Sequence, residues 1–114
     1  MTCVTLWVDR RGRIAAYAAL GHADFAQAGE DIVCAGVSAL TQAAANALEQ
    51  TVGAAPGVVI KPGLLHVRVP KARARVARHD TQVILRTMAQ GIEDIARAYP
   101  DCVRVIWKEK RCKP

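Results

Sequence analysis

The sequence predicts an α+β domain: a small two-layer unit with a mostly antiparallel sheet of about four to five strands and two amphipathic helices packed on one face. Three observations carry this. Apolar residues alternate at period two in short runs, CVTLWVD, RIAAYAAL, LLHVRV and CVRVIWK. In two longer stretches they step by three and four instead. Glycine, proline and charged turn residues separate the runs, giving the order β-β-α-β-(β)-α-β.

The first strand places Val4, Leu6 and Val8 on one face, with Thr5 and Trp7 on the other. Arg10-Arg11-Gly12 is the turn, and Ile14, Ala16, Ala18 and Leu20 alternate through the return arm of a hairpin. Residues 21 to 31 form a loop. From Ile32, one helical face carries Val33, Val37, Leu40, Ala44, Leu48 and Thr51, with Asp31 as N-cap. Gly53 and Pro56-Gly57 end this helix. Val58 to Ile60, the turn Lys61-Pro62-Gly63 and LLHVRV make a second hairpin or one strand with an irregular start, closed by Pro70. KARARVARHD reads as a basic connector. A second helix runs from about Thr81, capped by Asp80, to Tyr99, with Ile84, Met88, Ile92, Ile95 and Tyr99 facing inward. Pro100 stops it. Val103, Val105 and Trp107 share one side of the last strand, and residues 108–114 form a frayed basic tail. Trp7, Leu64 and Ile106 fall on the sheet face without helices, which implies a homodimer.

The chain has 114 residues, 52% of them hydrophobic, which fits one folded domain spanning 1–114 and excludes a disordered chain. No apolar run approaches the roughly 18 residues needed to cross a membrane, and the apolar-then-basic start reverses the order of a secretory signal. A cytoplasmic protein with four free thiols, Cys3, Cys34, Cys102 and Cys112, is expected. Those cysteines have neither paired nor histidine-linked zinc spacing, so neither metal nor cofactor is expected. The net charge of +6 fits an anionic partner, yet none of the five aromatics sits in a basic cluster, so a base-stacking signature is missing.

The chemistry gathers in GHADFAQAGEDIVCAGVSAL, residues 21–40. Cys34 falls in the first turn of the first helix. There the unsatisfied N–H groups carry partial positive charge, which favours a thiolate and offers donors to an oxyanion. His22 leaves the second strand next to Gly21, and Gly29 gives the loop a second hinge, so the imidazole can return to the thiol as its base. Asp31 has two readings, orienter of the histidine or helix cap. Ser38, one turn beyond the cysteine, has two as well: a hydrogen bond to the thiolate or a substrate carbonyl, or one to its own helix. His66 faces away from Leu65 and Val67, and neither it nor His79 has a local partner.

Gly21-His22-Ala23, followed by Gly29, Asp31-Ile32-Val33-Cys34-Ala35 and Ser38, resembles the motif of the ribosomal-processing cysteine protease family. Element order and length are similar over essentially the whole chain. The resemblance implies a cytoplasmic, homodimeric endopeptidase that removes a short N-terminal extension from large-subunit ribosomal protein number twenty-seven. It implies Cys34 as nucleophile and His22 as base, with Asp31, Ala35 and Ser38 as oxyanion or orienting candidates. Gly36 departs from the alanine common in that family.

Lys71, Arg73, Arg75 and Arg78 add a different possibility, contact with ribosomal RNA. The expected peptide substrate is itself basic, so its recognition rests on apolar pockets and strand pairing rather than on charge. The rival function is a non-catalytic assembly factor that binds ribosomal RNA through residues 71–79. A thiol redox role is a third, weakened by the lack of a nearby resolving cysteine.

Overall fold

The structure is a computed structural model that describes residues 1–21 and 30–110. Two helices lie over one face of a five-stranded sheet. In chain order the elements are β1 (Thr2–Val8), β2 (Ile14–Leu20), α1 (Glu30–Gln50), β3 (Gly57–Lys61), β4 (Leu64–Arg68), α2 (Arg75–Ala98) and β5 (Val103–Glu109). The sheet order is β3-β4-β2-β1-β5. All pairings are antiparallel except β1 with β5. That parallel pair is reached through α2, the crossover helix a parallel connection requires.

Alternation sorts β1, β4 and β5 as their sequences predict. In β2 the irregularity at Trp7–Val8 shifts the register, so Tyr17 and Ala19 face the helices in place of Ala18 and Leu20, and Leu20 is exposed. Val4 and Leu6 lie beside Ala19 and Tyr17, which in turn meet Leu65 and Val67. This layer packs under Val33, Val37, Ala44 and Leu48 of α1 and Leu85, Met88 and Ile92 of α2. Tyr17 is fully buried, and its hydroxyl donates to the Thr41 carbonyl at 2.8 Å. Burial raises its pKa. The second hairpin forms as two strands, and Gly63 takes φ +74° at its turn.

Several other sequence expectations change. Thr51 and Tyr99 are exposed rather than inward-facing, because each lies just past the end of its helix. Thr41 and Ala45 take places on the inner face of α1, and Thr81 and Leu85 on that of α2. The basic connector is helical from Arg75, so Asp80 is inside α2 and does not cap it. The residue before α2 is Ala74, which has no capping side chain, so the usual start signal is missing from the sequence. Asp31 likewise lies inside α1, one residue past its start. Lys108 and Glu109 belong to β5, where they pair with Trp7 and Val8, so the expected tail is strand at its beginning. Residues 111–114, including Cys112, lie outside the described residues.

Candidate active site

One end of the sheet and the first turns of α1 make a cleft of about 230 Å³. Thr2 and Gly21 come from the ends of β1 and β2. Cys34, Val37 and Ser38 come from α1, and Ile60, Gly63 and Leu64 from the second hairpin. Cys34 is the fifth residue of α1. Helical side chains lean toward the N-terminus, so its sulfur lies over the turn whose N–H groups start without helical partners. Those donors belong to residues 30–33. The N–H of Ala35 falls beyond that set, and the Ala35 side chain faces solvent.

The Cys34 sulfur is 3.1 Å from the Thr2 hydroxyl. Thr2 is 4% exposed and faces α1 from the first position of β1. The sequence pattern did not mark it: a threonine opening a strand is ordinary, and its meeting with Cys34 depends on tertiary packing. Gly21 has an ordinary backbone angle, but a Cβ added there would come within 2.9 Å of the Thr2 hydroxyl oxygen. Its glycine is therefore needed for close approach. Gly21 also donates its N–H to the Gly63 carbonyl at 2.9 Å, joining the two hairpins at the floor of the cleft.

Ser38 lines the cleft, with its hydroxyl oxygen accepting from the Gln42 side-chain amide at 3.3 Å. This is neither partner expected from the sequence, and it puts Gln42 at the rim as well. His22, Ala23 and Gly29 lie outside the described residues, as does the Asp31 side chain. His66 stacks obliquely on Trp7 across the outer sheet face, with centroids 5.8 Å apart, and His79 lies on α2 beside Asp80. Cys3 and Cys102 are free thiols outside the cleft. Among the described residues, no helix is long and apolar enough to cross a membrane.

A half-buried thiol over a helix start, opening into a cleft with an apolar wall, is the arrangement of a cysteine peptidase. The profile of the cysteine protease Prp family matches residues 1–104, and the chain belongs to that family. It is 37% identical over 87 residues to the ribosomal processing cysteine protease Prp of Bacillus subtilis, covering 75% of this chain and 78% of the relative. The Staphylococcus aureus (strain Mu50) protein of the same name is 29% identical over 110 residues, covering 95% of this chain and all of that one. The crystal structure of the S. aureus protease with a substrate peptide superposes with a TM-score of 0.83 at 28% identity, covering 95% of this chain and 100% of that one. A second S. aureus structure, with a covalently linked product peptide, gives 0.81 at 29% identity over the same shares of the two chains.

Proposed function

We propose that this cysteine protease removes the N-terminal extension of large-subunit ribosomal protein number twenty-seven during ribosome maturation, with Cys34 as nucleophile and His22 as general base. The observation that carries this reading is the position of the Cys34 sulfur, at a helix start and in a cleft large enough for one side chain of an extended peptide. Gly21, the residue before His22, lines the same cleft.

His22 takes the thiol proton, and the sulfur attacks the scissile carbonyl. The first-turn N–H groups of α1 stabilise the oxyanion. The amine leaves with the proton from His22, which leaves a thioester on Cys34. His22 then activates water, which releases the acid product and the free thiol. Ser38, one turn beyond Cys34 and lining the cleft, and Asp31, one turn before it, are the candidates for orienting the reacting groups. Ile60 and Leu65 give the cleft an apolar wall, and β3 is the edge strand of the sheet among the described residues, which suits strand pairing. Both suit an extended tail better than charge attraction does.

The outer sheet face carries Trp7, Leu64 and Ile106, and among the described residues no helix covers it. A second copy of the chain buries it in a cytoplasmic homodimer. A further partner is favoured by Arg13, Arg75, Arg78 and Arg86, which line a single open groove along α2. These arginines are the groups that would meet the phosphates of ribosomal RNA, and such binding is expected to fall steeply with salt.

The test is incubation with the ribosomal protein of the same organism, followed by mass spectrometry. Loss of one defined N-terminal piece supports the reading. An extension that is present and stays intact overturns it and moves the RNA-binding assembly factor to the front.

A further inference from the structure

We propose that Thr2 is a positioning residue for the Cys34 sulfur: its buried hydroxyl donates a hydrogen bond to the thiolate and holds it toward the cleft. The inference rests on Cys34 being the nucleophile.

The backbone of Thr2 is fixed from two sides. Its N–H donates to the Cys102 carbonyl at 2.8 Å, and it pairs with Val103 where β1 meets β5. Threonine is branched at Cβ, so few side-chain rotamers are open to it. Its hydroxyl is therefore aimed by the sheet. At 4% exposure it also has little access to water, and a buried hydroxyl needs a partner. Its side-chain partner is the Cys34 sulfur, at 3.1 Å. Among the described residues no buried side-chain nitrogen or oxygen lacks a hydrogen bond. The absence of a side chain at Gly21 leaves the room this hydroxyl occupies.

Protonation decides the direction of the bond. With a neutral thiol, either atom can donate. Once the thiol has lost its proton, sulfur can only accept and the hydroxyl must donate. The bond then has an ionised acceptor and is stronger than its neutral form. Thr2 thus favours the thiolate over the thiol. It acts through the Cys34 sulfur, from the wall of the same cleft.

The experiment compares wild type, Thr2→Val, Thr2→Ser and Thr2→Ala. Alkylation of Cys34 by iodoacetamide is followed against pH, with modification assigned by peptide mass spectrometry because the chain has three other cysteines, Cys3, Cys102 and Cys112. Thr2→Val keeps the shape and removes the donor. Its alkylation at neutral pH is expected to slow about tenfold, the loss of one hydrogen bond to a charged sulfur. Thr2→Ser keeps the donor and restores the wild-type profile. In peptide cleavage, Thr2→Val is expected to lose about tenfold in kcat at neutral pH with KM unchanged, and to recover as pH rises. If Thr2→Val does not fold, the contrast between Thr2→Ser and Thr2→Ala carries the test. Superposed profiles for all folded variants, or Thr2→Ser behaving as Thr2→Ala, would overturn the proposal. Cys34→Ala in the same cleavage assay separates the two ideas: full activity there removes the nucleophile reading, whereas the alkylation profiles report on Thr2 in either case.

Discussion

The two ends of the β1–β2 hairpin are built for different purposes. At the turn end, polar side chains are tied to backbone. The Asp9 carboxylate accepts from the N–H groups of Arg11 and Arg13 and from the Arg13 guanidinium. Gln82 of α2 donates to the Ile14 carbonyl and accepts from the Ile14 N–H, at 3.0 and 2.8 Å, as a neighbouring strand would. Arg86 donates to the Gly12 carbonyl and lies 5.5 Å from the Trp107 ring. At the open end, among the described residues, the elements meet through glycines and a hydroxyl–thiol contact. The first end anchors a helix to the sheet. The second leaves a reactive atom half-exposed in a cleft. Stability and chemistry are separated along one hairpin, so substitutions at the two ends should fail in different assays.

The largest expected effect is at the open end. Cys34→Ser should lower peptide cleavage by about 10³-fold or more while the thermal midpoint stays close to wild type, because oxygen is a far weaker nucleophile at neutral pH. Gly63→Ala should damage both properties. The residue sits at φ +74°, and an added Cβ would lie 2.6 Å from the Gly21 carbonyl oxygen. A cost of roughly 1–3 kcal/mol is expected from the backbone conformation alone, with a fall in cleavage as the cleft floor shifts; urea melts and kinetics on one preparation check both.

Gln82→Leu sharpens the contrast from the other side. It removes both bonds to Ile14 and should cost about 1–3 kcal/mol in denaturant melts, with cleavage at low temperature unchanged. Gly36→Ala should stabilise α1 by up to about 1 kcal/mol, since the new Cβ meets only the Ile95 side chain at 3.4 Å, an ordinary contact.

The smallest effect concerns Asp9. Burial pushes its pKa up, but the bonds from Arg13 and Arg11 outweigh that and hold it below the ordinary 3.8. Its contribution to stability is therefore complete above that value and lost as pH falls through the lowered pKa. Asp9→Asn should lower the neutral midpoint slightly, the group being partly exposed, and the difference from wild type should vanish below about pH 4 as the acid limb flattens.

Much of this organisation was legible in the residues. Period-two alternation located the strands, and the helical spacing of Val33, Val37, Ala44 and Leu48 located the face of α1. Gly21 and Cys34, both singled out in the sequence, line the cleft. What stayed hidden has physical causes. The start of α2 lacks a capping residue, and arginines compatible with either helix or loop occupy its first turns. Thr2 and Gln82 act across the sheet, on partners 32 and 68 residues away, and no local pattern encodes such meetings. The turn-end groove is of the same kind, since Arg13 joins Arg75 and Arg78 only after α2 docks.

The most direct measurement gives the enzyme an activated ester of the tail sequence, quenches in acid, and locates the acyl group by peptide mass spectrometry in wild type and Cys34→Ala. A thioester on the peptide containing Cys34, present in wild type and absent in the variant, is the predicted result. An acyl group on another residue, or undiminished turnover by Cys34→Ala, would contradict Cys34 as the nucleophile.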